Sequence, residues 1–364
     1  MSTVVAKVGT SSLTNRVGVI DVAAIQKLCD EVAQLRVDGH DVVVVSSGAV
    51  SAGVAALGLT ERPTDLPTLQ ALAAAGQSRL MRTYDDILAT HGLVAAQVLL
   101  VPHDFVERRQ YLHARQTLVR LLELGAVPIV NENDAIADDE IRFGDNDRLA
   151  ALVAHLVHAD LLVLLTDTPG VLTADPRLDA NASLIEEVIG IDRAFEEQMG
   201  GAGSSRGSGG MASKVAAARI ASWSGVRAVI AAADRPNVLL DAVAGVGGVG
   251  TVVHPHERRL PARKLWIAFA LAAAGVVEVD EGARRALVDG NRSLLPAGVT
   301  GVKGDFMADD AIELAGPDGV VFAKGLTRID AHQLAQVTGR RTSELPEGWP
   351  HEVVHRDDLV VLPS

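Results

Sequence analysis

The chain has one cysteine, Cys29, so no internal disulfide can brace it, and a cystine-bridged secreted scaffold is excluded. Aromatic residues are almost as scarce, with six Phe, three Trp and two Tyr making up 3% of 364 residues. The core must then be aliphatic, built from Val, Leu, Ile and Ala, which suits a parallel sheet covered by alanine-rich helices. Positive charge is in deficit. Lys and Arg number 33 against 46 Asp and Glu, a net charge of −13, and a general nucleic-acid binder needs the opposite balance. Small anions are not excluded, because a local pair of lysines outweighs a screened distant field. A long unbroken apolar run is also missing. The uncharged segment from Val42 to Thr60 approaches bilayer length, but Ser46-Ser47-Gly48 breaks it into a strand, a turn and a helix. The opening MSTVVAKVGTSS has no apolar signal core, since Lys7 interrupts the one candidate. These absences lead to the expectation of a cytoplasmic protein in a reducing compartment, with no membrane partner and no nucleic-acid partner.

What the chain does have is alternation. Apolar residues reach 48%, too many for disorder. Short β-branched runs recur: VVAKV near the start, Val42–Ser46, Val127–Asn131, Leu161–Asp167 and Arg227–Ala232. Helical patterns separate them, among them residues 21–38, with Asp21 as the cap and Cys29 as packing, and AVSAGVAALGL after Gly48. Strand and helix in this order predict an α/β fold, a mainly parallel sheet sandwiched by helices, over residues 1–253. Near residue 253 the texture changes. HPHERRLPARK reads as a linker, assigned to 254–274. Short alternating segments such as VVEVD, AIELAG and VVFAKGLTRI then predict a small, mostly β domain over 275–354, followed by a tail at 355–364.

In a parallel sheet, ligands bind beyond the carboxyl ends of the strands, so polar groups just after strands matter most. Lys7 lies in an apolar strand. Either the strand is an edge and the lysine is in water, or the lysine stands at the exit and reaches a phosphate. Ser46-Ser47-Gly48 joins a strand to a helix whose first N–H groups favour an anion, or else is a plain serine cap. Asn131-Glu132-Asn133-Asp134 carries more polar side chains than one turn requires, and Asp134 could hold the ammonium of an amino acid. The nearby Asp138-Asp139-Glu140 reads as solvated surface. Thr166 and Asp167 close the most apolar strand. In GDNDRLAALVA, Leu149, Leu152, Val153 and Leu156 define a helix with one buried face, and one of Asp145, Asn146 and Asp147 caps it, leaving two to explain. Ser208-Gly209-Gly210-Met211-Ala212-Ser213-Lys214 opens another helix. Lys214 in its first turn opposes the helix dipole, so a phosphate would compensate it unless the side chain is solvated. His155 and His158, one helical turn apart, are too few for zinc, and no metal site is assigned.

The ordered set KVGTSSL, SSGAVSAG, NENDAI, GDND, TDTPGVLTADPR and GGMASK resembles the amino acid kinase family, in the branch that phosphorylates glutamate. The segments AGVVEVDEGARRAL and GNRSLLPAGV resemble a PUA domain. This resemblance implies ATP and Mg2+ as cofactors, L-glutamate as substrate, proline as feedback inhibitor and a homo-oligomer. It implies that Lys7 and Lys214 contact the phosphates and that Asp147 holds the two lysines in place. It gives Ser47, Asp134 and Asn146 to glutamate. It gives Lys7, Thr166, Asp167 and the stretch Ser208, Gly209, Gly210, Met211, Ala212, Ser213 and Lys214 to the nucleotide. The rivals are a kinase of acetylglutamate, carbamate, aspartate or UMP, and an RNA-binding regulator acting through the PUA-like unit.

Overall fold

The computed structural model describes residues 1–364 except 16–17, 106, 137–145, 175–178, 180, 192–209, 257–258 and 363–364. The chain forms two compact units, Met1–Arg259 and Leu260–Ser364.

The first unit is built on eight strands: β1 (Thr3–Val8), β2 (Asp41–Val45), β3 (Ala95–Leu100), β4 (Val127–Glu132), β5 (Leu161–Thr166), β6 (Glu187–Val188), β7 (Arg227–Ala232) and β8 (Thr251–Val253). Their order across the sheet is β3-β4-β2-β1-β5-β7-β8-β6. Pairing is parallel from β3 through to β7, and β8 runs antiparallel to β7. This is the mainly parallel sheet that the aliphatic composition predicts. β1 is central, between β2 and β5, and the chain builds outward to either side of it. Strands that depart in opposite directions leave a crevice at their carboxyl ends, where bound groups can sit.

Alternation along the strands divides the two faces. Val4, Ala6, Val8, Val42, Val44, Val163 and Leu165 form one core with the helices Val22–Val37, Leu66–Thr90 and Val238–Ala244. Asp21 caps the first of these helices by accepting from the Ala24 amide. Cys29 packs within it, and burial pushes the thiol up to about 12. The other face carries Val5, Lys7, Leu162, Leu164 and Thr166, and meets the helices Asn146–Leu156 and Met211–Trp223. The first of these two differs from the expected helix with one buried face. Leu149, Leu152, Val153 and Leu156 are buried as the spacing requires, but Ala150, Ala151 and Ala154 are buried as well. Their small side chains let Met211–Trp223, with its own Ala217, Ala218 and Ala221, cover the opposite side.

A second close contact lies next to the crevice. The helix Ala49–Ala56 starts at Gly48, whose φ of 96° turns the chain sharply off β2. It packs backbone to backbone on Leu66–Thr90. A Cβ at Gly76 would overlap the Ala49 carbonyl oxygen and the Gly53 nitrogen, and one at Gly53 would overlap the Leu72 carbonyl.

The second unit is a five-stranded sheet in the order β10-β9-β11-β12-β13: β9 (Gly275–Val279), β10 (Val299–Gly304), β11 (Ala311–Ala315), β12 (Val321–Thr327) and β13 (Val354–Val361). Residues 355–364 are therefore not simply a tail. Val354, Leu359 and Val360 are buried, and β13 pairs antiparallel with β12. The stretch read as a linker also carries structure. The helix Ala262–Leu265 and a wider helical turn, Trp266–Ala270, bury Leu265, Trp266 and Ile267 within the second unit. Pro, His and Arg dominated the reading there and hid the apolar LWIAFAL that follows them.

Gly76→Ala should be severely destabilising. The added methyl meets backbone, which cannot swing aside, so a cost of about 3 kcal/mol or more is expected. Thermal unfolding should show a lower Tm than an alanine substitution at the open position Gly247 gives.

Candidate active site

Lys7 stands one residue before the end of β1 and is 3% exposed. A central strand removes the edge reading of this lysine. Its partner is Asp147, 0% exposed, in the first turn of Asn146–Leu156. Lys7 Nζ lies 2.5 Å from Asp147 Oδ1. Lys214 Nζ, from the first turn of Met211–Trp223, lies 3.1 Å from Asp147 Oδ2 and is 7% exposed. Ser213 Oγ donates to the same Oδ2 at 2.9 Å. One carboxylate thus sits between two ammonium groups, as the resemblance implied. The opposition between Lys214 and its helix dipole is answered inside the protein by Asp147, where the sequence reading had looked to a phosphate. Among the described residues of this cluster, two cations face one anion, which leaves a positive balance. Away from water, that surplus favours an anionic ligand strongly.

Of the remaining expected nucleotide residues, those described lie at the end of β5 and at the start of the helix Met211–Trp223. Thr166 is buried at the end of β5 and donates to Asp167 Oδ1 at 3.2 Å, while Asp167 is exposed. Gly210 precedes the helix Met211–Trp223, and Met211 and Ala212 are half-buried in its first turn. Ser208 and Gly209 lie outside the described residues, as do Gly144, Asp145 and the acidic group Asp138-Asp139-Glu140.

On the other side of the crevice is a chain of amides. Asn131, at the end of β4, accepts from the Glu132 amide at 2.9 Å. That backbone donor fixes which end of the Asn131 carboxamide is oxygen. Asn146 Nδ2 donates to the same oxygen at 2.7 Å and to the Ser46 carbonyl at 2.5 Å. Asn131 Nδ2 in turn donates to Gln77 Oε1 at 2.8 Å. Both Nδ2 hydrogens of Asn146 are committed, so what it has left to offer is Oδ1, an acceptor suited to an ammonium. Ser46 also shares a hydrogen bond with the fully buried Tyr84, 3.1 Å between hydroxyls, and burial pushes the Tyr84 phenol up. Ser47 follows, half-buried, at the start of the Gly48 turn.

A cavity of about 230 Å³ opens beside these amides, lined among others by Gln77, Ser78, Gln97, Glu132, Asn133 and Asp134. Asp134 therefore stands where the sequence places it, in a polar recess past a strand end. Gln77 and Asn131 were not among the expected ligands. Gln77 does leave a sequence signal: it falls in phase with Leu72, Ala73, Gly76, Leu80 and Tyr84, the buried stripe of its helix. Among the described residues, no group of three or more His, Cys, Asp or Glu could hold a metal ion. Asp147 is a poor candidate ligand, since both its oxygens face lysines.

Asp147→Asn should keep the shape and remove the charge between two buried ammonium groups. Breaking such a set costs about 3–5 kcal/mol, and removing one cation as well relieves part of it. Urea unfolding should place Asp147→Asn well below the parent chain, with Lys7→Met/Asp147→Asn in between. Equal midpoints for the single and double variants would show that the lysine does not depend on the carboxylate.

Residues 2–232 match the Amino acid kinase family and residues 275–348 match the PUA domain. The glutamate 5-kinase of Mycobacterium ulcerans (strain Agy99) is 48% identical over 360 residues, covering 99% of this chain and 96% of that protein. The glutamate 5-kinase of Myxococcus xanthus (strain DK1622) is 47% identical over 363 residues, with 99% and 96% covered. That of Pelobacter propionicus (strain DSM 2379 / NBRC 103807 / OttBd1) is 44% identical over 363 residues, with 99% and 97% covered. Likeness of this depth from one end of the chain to the other, over the same two domains that the sequence motifs suggested, means that the chain belongs to the amino acid kinase family, in its glutamate 5-kinase branch.

Proposed function

We propose that this protein transfers the γ-phosphoryl group of ATP to the γ-carboxylate of L-glutamate, giving L-glutamyl 5-phosphate and starting proline biosynthesis. The observation that carries this is the buried Lys7–Asp147–Lys214 cluster at the strand ends, with the Asn146 amide oxygen and Asp134 beyond it.

A carboxylate nucleophile has a reference pKa of about 4.3 and is ionised at neutral pH. It needs no general base, and among the described residues no histidine is paired with the lysines or with Asp147. The difficulty is bringing an anion against a polyphosphate. Catalysis is then positioning plus positive charge aimed at the transferring group. Lys7 and Lys214 supply that charge, and Asp147 keeps their ammonium groups from repelling one another. Thr166, Asp167 and the stretch 208–214 hold the nucleotide. Bound Mg2+ supplies further neutralisation of the phosphate oxygens. Asp134 and Asn146 Oδ1 face the substrate ammonium, and Ser47, at the N-terminal end of Ala49–Ala56, meets a substrate carboxylate.

Beyond the reaction itself, we read the protein as a cytoplasmic homo-oligomer. No helix among the described residues is long and apolar enough to cross a membrane. Proline shares the α-amino and α-carboxylate ends of glutamate, so it should compete at Asp134 and Asn146.

With Mg-ATP, L-glutamate and hydroxylamine should yield hydroxamate, while D-glutamate, aspartate and acetylglutamate should not match its ADP release. L-proline should raise the apparent glutamate KM in the same assay. Lys214→Ala should lower kcat on the order of a hundredfold or more, as loss of an electrostatic catalytic group does. It should leave the protein folded, because Lys7 and Asp147 remain a balanced pair. A folded protein with no hydroxamate from L-glutamate sinks the assignment.

All the described site residues lie in the unit Met1–Arg259. A chain ending at Arg259 should therefore keep phosphoryl transfer with a similar glutamate KM, although its assembly or proline response could change. A folded truncation that binds ATP yet transfers nothing would place part of the machinery in the second unit.

A further inference from the structure

Gln77 is 8% exposed and stands at an unusual place for a polar side chain. Its helix presents Leu72, Leu80 and Tyr84 to the core on the same stripe. The residue before it, Gly76, is held in backbone contact with Ala49 and Gly53, so position 77 cannot slide. From there Gln77 Oε1 receives Asn131 Nδ2 at 2.8 Å, and Asn131 Oδ1 receives Asn146 Nδ2 at 2.7 Å. Among the described residues the Gln77 Nε2 atom is buried and has no hydrogen-bond partner. The side chain therefore acts through its oxygen.

We propose that Gln77 is a positioning residue for the amino acid substrate. It anchors a three-amide relay, Gln77–Asn131–Asn146, that holds Asn146 with its oxygen toward the ligand. The site then demands a hydrogen-bond donor, the α-ammonium, at that point. The direction of the relay is set at both ends by groups that cannot reverse. The Glu132 amide is only a donor, and the Ser46 carbonyl only an acceptor. Between these, Asn131 could still swing if its own NH2 had no acceptor. Gln77 supplies that acceptor from a helix outside the strand-end loops. This inference rests on the reading above in which Asn146 binds glutamate.

The test is steady-state kinetics on the full chain with L-glutamate and with glutarate, which has both carboxylates and no ammonium. Gln77→Met keeps the length and removes the acceptor. It should raise the glutamate KM about fivefold, the loss of one ordinary hydrogen bond, with kcat and the ATP KM unchanged. Its preference for glutamate over glutarate should narrow by the same factor. If Gln77→Met does not fold, Gln77→Asn, one methylene short of Asn131, gives the same comparison. In an Asn146→Ala background the Gln77 substitution should add nothing further. An unchanged KM in Gln77→Met, or a full additive rise in the Asn146→Ala background, would each overturn the relay. If Asn146→Ala itself leaves the glutamate KM unchanged, the substrate assignment of Asn146 fails, and the relay falls with it.

Discussion

One buried carboxylate organises the first unit. Asp147 has to meet an ammonium from the central strand and another from a helix more than sixty residues further along the chain. Each lysine alone would be expensive to bury, and each becomes tolerable only when the others are in place. The contact therefore couples three elements: β1, the helix Asn146–Leu156 and the helix Met211–Trp223. The alanines on both helices follow from this requirement. Ala150, Ala154, Ala217 and Ala221 are buried on the two helices, which pack against each other, and small side chains suit the close approach that brings Lys214 to Asp147. Packing and electrostatics are here one constraint seen from two sides.

The overall charge of −13 and the local surplus of positive charge are compatible because they act over different distances. Exposed carboxylates are screened within roughly 10 Å at ordinary ionic strength. The two lysines act in a buried crevice, where screening is weak. A polyphosphate that reaches the crevice meets the nearer field. The exposed ion pairs elsewhere, such as Arg120 with Glu123, contribute little by comparison.

The sequence showed most of this where one residue type implied one environment. Aliphatic runs marked the strands, Asp21 marked a helix start, and a lysine in an apolar strand next to glycine marked Lys7. Two features were hidden for definite physical reasons. The second buried face of Asn146–Leu156 is made of alanine, which carries almost no periodic signal because it is small enough for either a surface or a tight interface. The role of Asn131 and Gln77 depends on which amide end faces which neighbour, and that is decided by contacts 15 and 54 residues apart along the chain. No local pattern encodes such an orientation. β13 was missed for the reverse reason: VHRDDLVV places charges in the middle of a strand whose apolar ends hold it to β12.

The division of labour across the crevice has its own logic. On the reading proposed above, the lysine side meets the phosphates with full charges, because there the task is to stabilise charge that shifts during the reaction. The amide relay adds no net charge next to the lysines. A cation placed there would draw the substrate carboxylate out of line, and another carboxylate close to Asp147 would cancel the surplus on which transfer depends. On the same reading Asp134, which follows β4 and lines the cavity, matches the ammonium's charge from beyond the relay. A carboxamide fixed by backbone groups supplies direction with no field of its own. Such a group is useful only if it cannot turn over, since its two ends ask for opposite partners. The backbone contact between Gly53 and Gly76 thus matters beyond packing: it fixes the helix from which the last amide in the relay is held.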